Sequence, residues 1–212
     1  MTLKIGKPYI WLPVSKNAPE TKLHFFIEGK KVQEIDIHLG KTDCEFYGCW
    51  DASAFVGKEI QIEGADKELL EGIFCYEKPY ENVYPYRPKL HFAPVTGWHN
   101  DPNGMIYADG FYHLYYQWNP YGTGWGNMHW GHVKSKDMYH WEQEGMAMAP
   151  DEKGTVYSGC AIQDKDNLTG CGKDALLFYY TAAGGRNQWS EDAGNLFTPV
   201  SYTHLRAHET SA

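Results

Sequence analysis

The chain has 212 residues, a formal net charge of −8 and 42% hydrophobic residues, so it can bury one large core or two small ones. The acidic balance and the lack of a Lys/Arg cluster argue against a nucleic-acid partner, because phosphate backbones attract basic surfaces. Aromatic residues make up 16% of the chain, and their flat rings suit strand surfaces and sugar faces. The composition therefore favours a β-rich protein with a neutral ligand.

The amino-terminal region predicts a small antiparallel β domain. Residues 9–76 read as short alternating segments separated by Gly, Lys or Asp. The Tyr- and Pro-rich stretch 77–89 has neither a helical nor a strand period, which is typical of a linker. We therefore predict an N-terminal β module over residues 1–82. The start of the chain lacks the apolar run of a signal peptide and no later run reaches membrane length, so we expect a cytoplasmic protein without a membrane partner.

From Leu90 onward the pattern is a series of closely spaced strands. A tight hairpin is expected at Ala108-Asp109-Gly110, and no stretch has a convincing amphipathic helical period. Repeated four-stranded groups suit propeller blades, with room for about two of them. The predicted fold class is therefore all-β: a small N-terminal antiparallel β domain followed by the first blades of a β-propeller.

The last stretch of the chain has a different character. From Pro199 the alternation stops, and two His and an Arg crowd into a short polar run. This stretch resembles the translation of a sequencing adaptor. Residues 198–212 are therefore expected to be a non-native tail that does not belong with the strands before it.

The sharpest local feature is the segment Trp98-His99-Asn100-Asp101-Pro102-Asn103-Gly104. Pro and Gly after an Asp predict a turn at the end of a strand. An Asp held in such a turn can aim one carboxylate oxygen into a cleft for nucleophilic attack. The alternative interpretation is an Asx-turn that only caps the loop.

Further motifs follow in order, and together they carry a resemblance. They are Tyr116-Gln117-Trp118-Asn119-Pro120, the run from Trp125 to His132 (WGNMHWGH), and Tyr157-Ser158-Gly159. With the Asp101 segment they resemble the fructan-cleaving glycoside hydrolases of family 32, the invertases, inulinases and levanases, over residues 90 to about 191.

The resemblance implies a five-bladed propeller, with residues 83–197 as the amino-terminal part of the catalytic domain. It implies that Asp101 is the nucleophile that forms a covalent fructosyl-enzyme intermediate. It also implies that Asn100, Gln117, Trp125 and Ser158 surround the terminal fructose of sucrose, inulin or levan. No cofactor is implied. We reject a metal site at His129 and His132, because strand residues three apart point to opposite faces.

Half of the expected machinery is missing from the sequence. A retaining glycosidase needs a second carboxyl as general acid, about 5 Å from the nucleophile. The family places this Glu in a Glu-Cys segment after an Arg-Asp-Pro segment, and neither occurs in this chain. We therefore interpret the chain as C-terminally truncated and expect it to be inactive as given.

Two rival functions stay open at this point. The first is a non-catalytic fructan-binding propeller that keeps the pocket but not the chemistry. The second is an arabinanase-like five-bladed glycosidase with another sugar specificity. The complete Trp125 to His132 segment favours the fructan family over the second rival.

Overall fold

The computed structural model describes residues 1–41, 44–81, 86–88, 90–151 and 154–183, together with the backbone of 201–205. These residues form strands and very little helix, so the predicted all-β class is confirmed. In this part of the chain the helices are α1 (Lys67–Leu70) and a 3-10 turn (Ser53–Phe55).

The first of two compact units is built from two sheets. It contains the described residues of 1–87, 94–98 and 119–127. Its strands are β1 (Thr2–Lys4), β2 (Tyr9–Val14), β3 (Thr21–Ile27), β4 (Lys30–Ile37), β5 (Phe46–Asp51), β6 (Glu59–Glu63) and β7 (Phe74–Tyr76). They form antiparallel sheets of order β1-β6-β3-β4 and β5-β2-β7. The unit thus contains the strands within residues 1–82, and it extends beyond that boundary to residue 87 and to the two later segments.

The second unit holds the described residues of 88–93, 99–118 and 128 onward. Its strands are β8 (Trp98–Ala108), β9 (Phe111–Asn119), β10 (His129–Ser135), β11 (Glu142–Met148), β12 (Thr155–Asp164), β13 (Ala175–Ala183) and β14 (Ser201–Leu205). They form sheets of order β11-β10-β9-β8 and β12-β13-β14. The four-stranded sheet has the form of one propeller blade. The number of blades in the whole protein stays a prediction.

The core of the second unit lies between its two sheets. Trp130 from β10 and Phe178 from β13 are fully buried there, with ring centroids 6.2 Å apart. The β8–β9 connection is the predicted hairpin. Asp109 and Gly110 both have positive φ, 51° and 81°, as a two-residue type I′ loop requires. This hairpin and core fix β8 and β12, the two strands that carry Asp101 and Ser158.

Strand β14 lies inside the stretch that was expected to stand apart from the fold. Its backbone pairs antiparallel with β13, from Leu176↔Leu205 to Tyr180↔Ser201. These five residues pair with β13, and their place in a non-native tail stays a prediction. Backbone pairing needs no particular side chains, so an extended segment can add to an open sheet edge whatever its sequence. The rest of 198–212 lies outside the described residues, and its non-native origin stays a prediction.

Candidate active site

Asp101 lies within strand β8 and not in the turn that its neighbours predicted. Residues 98 to 108 are continuous strand, and β8 is at the edge of its sheet. An edge strand tolerates Pro102, because a missing N–H there need not break a ladder. Gly104 has a φ of +50°, which glycine adopts without steric cost. Asn100 and Asp101 are both exposed on this strand, so the carboxylate is accessible to a ligand.

Ser158 is the residue that the fold brings directly to Asp101. Its Oγ donates a hydrogen bond to Asp101 Oδ2 at 2.6 Å, although the two residues are 57 positions apart. Asp101 is on β8 and Ser158 is on β12, so this bond joins the two sheets of the second unit. The short distance is typical of a charge-assisted O–H···O⁻ bond, which orients the carboxylate.

Gln117 on β9 is a buried amide that bonds to β12, the strand of Ser158. It is only 3% exposed, and its Nε2 donates to the carbonyl oxygen of Val156 at 2.9 Å. Its Oε1 is also buried and has no hydrogen-bond partner in the part of the chain that the structure describes. Gln117 therefore supports the strand that carries Ser158. Its predicted contact with a fructose hydroxyl stays a prediction.

Trp125 lies in the segment Asn119–Asn127, which belongs to the first unit. Its side chain is 62% exposed. The fold thus brings Asp101 and Ser158 together. Gln117 lies on β9 and bonds to Val156, two residues before Ser158 on β12. The convergence of Trp125 with these residues on one pocket stays a prediction.

Side-chain amides hold the Trp125 segment in place. Asn119 Oδ1 accepts from the backbone N of Tyr121 at 3.0 Å and from Asn127 Nδ2 at 3.1 Å. Asn127 Nδ2 also donates to Asp36 O at 2.7 Å, while Asn127 Oδ1 accepts from Asp36 N at 2.9 Å. Asp36 is on β4, an edge strand, so Asn127 fills the place of a neighbouring strand there. Tyr121 is fully buried in the core of the same unit.

His129 and His132, the two histidines considered for a metal site, lie among protein side chains. His129 is buried, and His132 stacks on the Tyr115 ring with centroids 4.2 Å apart. His132 Nε2 lies 2.9 Å from His113 Nδ1. Burial, reinforced by the neighbouring His113 and Lys134, lowers the pKa of His132 to about 3. His132 is therefore a neutral partner in a histidine pair at neutral pH.

Asn103 is a site residue that the sequence reasoning did not select. It is 2% exposed, and its Oδ1 accepts a hydrogen bond from the backbone N of Gly159 at 3.1 Å. Its position two residues after Asp101 on one strand was the available signal, because alternate strand residues share a face. The predicted turn concealed that signal.

Comparison with known proteins identifies a family and several relatives. The sequence model of the "Glycosyl hydrolases family 32 N-terminal domain" matches residues 91–204, more than half of the chain. The chain is 49% identical to the levanase of Bacillus subtilis over 121 residues, 53% of this chain and 18% of that protein. It is 48% identical to the sucrose-6-phosphate hydrolase of Zymomonas mobilis over 113 residues, 52% of this chain and 20% of that protein.

A solved structure is also similar, the exo-inulinase of Aspergillus awamori. Its sequence is 32% identical, with 60% of this chain and 29% of that chain covered and a TM-score of 0.42. The chain thus spans about a fifth of the length of the levanase and the hydrolase that it matches.

Proposed function

Because this chain belongs to glycosyl hydrolase family 32, we propose that it is the amino-terminal part of an enzyme that hydrolyses terminal β-D-fructofuranosides. The names of its relatives point to sucrose-type and fructan substrates. The observation that carries the proposal is the 2.6 Å hydrogen bond from Ser158 Oγ to the exposed carboxylate of Asp101. A hydroxyl bound to one carboxylate oxygen leaves the other oxygen for attack on a sugar.

The proposed chemistry is a retaining double displacement. Asp101 attacks the anomeric carbon of the fructosyl group, and the bond from that carbon to the leaving oxygen breaks as a general acid protonates the oxygen. Water then hydrolyses the fructosyl ester, which regenerates the carboxylate and releases fructose. In this scheme Ser158 orients Asp101, and the amides of Asn100 and Gln117 bind fructose hydroxyls.

The general acid would come from a part of the enzyme beyond this chain. The sequence holds no Glu-Cys segment and no Arg-Asp-Pro segment. We therefore propose that the 212-residue chain alone releases no fructose, whereas the full-length enzyme does. Here the full-length enzyme means this chain continued through the remainder of the family's catalytic region. Positioned proton transfer typically contributes about 10²- to 10⁴-fold to the rate.

The test is the Asp101→Asn variant of the full-length enzyme, assayed for fructose release from sucrose, inulin and levan. We expect turnover to collapse while sugar binding persists, because the amide keeps the shape but lacks the nucleophilic oxygen. The matched control is Asp109→Asn, since Asp109 is exposed in the type I′ loop and Asn suits that loop equally well. Full activity of Asp101→Asn would refute the assignment. Sugar binding without turnover by the unchanged full-length protein would favour the non-catalytic alternative.

A further inference from the structure

Strand β12 is irregular where it carries Ser158. Its pairing with β13 runs from Thr155↔Ala183 to Val156↔Ala182 and resumes only at Gly159↔Tyr180. Tyr157 and Ser158 are skipped, as in a β-bulge. Bulges re-aim side chains beside active sites, but the extra residues lose ladder hydrogen bonds. Something other than β13 must hold this part of β12 in place.

Three buried side chains of the neighbouring sheet bind the backbone of the bulge. Asn103 from β8 accepts from Gly159 N at 3.1 Å. Gln117 from β9 donates to Val156 O at 2.9 Å, and Trp130 from β10 donates its Nε1–H to Tyr157 O at 3.1 Å. The three side chains are between 0% and 3% exposed. Three adjacent strands thus each supply one side chain that hydrogen-bonds to the backbone of residues 156–159, where the pairing with β13 is interrupted.

Of these three side chains, Asn103 is close in sequence to Asp101, and its partner is adjacent to Ser158. Asn103 lies two residues from Asp101 on β8, and its partner is Gly159 on β12. The Asn103–Gly159 bond therefore runs beside the Ser158–Asp101 bond and sets the distance between the same two strands. The backbone of Gly159 lies close against β13, because a Cβ there would lie 1.9 Å from Tyr179 O. The Asn103 bond therefore ties β8 to the point where β12 resumes its pairing with β13.

We propose that Asn103 is a positioning residue of the active site, which holds the bulge so that Ser158 can orient the Asp101 carboxylate. Asn103 acts through Ser158 and does not contact the reacting atoms. The inference rests on the proposed function, since it assigns the geometry of the same nucleophile.

The test is a double-mutant cycle in the full-length enzyme with Asn103→Leu and Ser158→Ala. Leu has a similar size but accepts no hydrogen bond, so the bulge loses its tie to β8. We expect Asn103→Leu to lower kcat by about 10- to 100-fold with KM changed by less than about 3-fold, because misalignment of the nucleophile affects the chemical step. In the Ser158→Ala background the same substitution should cost only about 2-fold, since its effect passes through Ser158.

The matched control is Thr155→Val on the same strand. Thr155 is 2% exposed and its Oγ1 donates to Met128 O at 3.1 Å, a comparable buried link outside the bulge. Its effect should multiply with that of Ser158→Ala. If Asn103→Leu does not fold, Trp130→Phe removes the bond to Tyr157 O and enters the same cycle.

Two results separate the possible failures. Losses that multiply in the cycle, with KM and kcat affected alike, would overturn the positioning role while Asp101→Asn still abolishes turnover. Full turnover by Asp101→Asn would overturn the proposed function itself.

Discussion

Ser158 Oγ and Asp101 Oδ2 lie 2.6 Å apart, and this hydrogen bond joins two sheets through residues that are 57 positions apart in the chain. A hydrogen bond to a charged group is worth about 1.5 to 3 kcal/mol, so its loss should be measurable. We expect Ser158→Ala to lower kcat of the full-length enzyme by about 10- to 100-fold, because the carboxylate loses its orientation. The loss of stability should be smaller than this value of about 1.5 to 3 kcal/mol, since the bond is exposed to solvent. Steady-state kinetics against the exposed control Ser53→Ala would check this, and an unchanged kcat would contradict it.

Trp125 offers a test of the predicted sugar-binding wall. We expect Trp125→Ala in the full-length enzyme to raise KM by about 2- to 10-fold, because ring contacts are worth about 0.5 to 1.5 kcal/mol. The urea midpoint should move little, since the side chain is 62% exposed. A KM equal to that of the parent enzyme would show that Trp125 does not face the sugar.

Asn127 should be essential for the segment that carries Trp125. In Asn127→Asp a carboxylate oxygen replaces the Nδ2 that donates to Asp36 O at 2.7 Å, so two acceptors face each other. We expect a loss of about 2 to 4 kcal/mol in urea unfolding, because buried polar groups lose their partner.

The matched control for Asn127→Asp is Asn167→Asp. Both asparagines have positive φ, 41° and 55°, so the backbone cost is similar. Asn167 is exposed, and its Oδ1 accepts from Gly172 N at 2.7 Å, which Asp can also do. Its unfolding free energy should stay within about 0.5 kcal/mol of the parent chain. Equal losses in both variants would show that the Asp36 contact is unimportant.

The His113–His132 pair predicts acid sensitivity. His113 Nε2 lies 3.3 Å from Ala108 O and must donate to it, so His113 Nδ1 accepts from His132 Nε2 at 2.9 Å. Burial lowers the pKa of both rings in the folded state, to about 3 for His132. The unfolded state therefore binds more protons below about pH 6.5. The free energy of unfolding is therefore highest above that pH. It decreases as the pH falls towards about 3, the pKa of His132 in the folded state.

Urea unfolding between pH 7 and pH 4 would check this linkage. We expect His132→Phe to reduce the slope of stability against pH by up to about 1.4 kcal/mol per unit, because one titrating group is removed. The control is Val133→Ala, which removes volume from a fully buried neighbour and should lower stability at every pH without changing the slope. An unchanged slope in His132→Phe would show that the pair does not titrate.

The sequence alone determined the strand-rich class, the hairpin and the membership of the family. Period-2 alternation reports a half-buried strand directly, and Asp109-Gly110 meets the positive φ of a type I′ loop. The segments around Asp101, Gln117 and Ser158 are local, so their order along the chain was readable without a fold. These features depend on residues that are close in sequence.

The tertiary structure decided the features that depend on distant partners. Strand β11 is one of them, because EQEGMAM has no β-branched or aromatic residue and becomes a strand by pairing with β10. The sequence predicted a turn at Asp101 because Pro and Gly usually end strands, whereas an edge position tolerates both. The bulge at Ser158 could not be read from alternation, since it depends on how β12 pairs with β13. The bonds that join it to Asp101 and Asn103 connect residues more than 50 positions apart in the chain. Such contacts exist only when two sheets pack together, so the fold was needed to show how the Asp101 carboxylate is held.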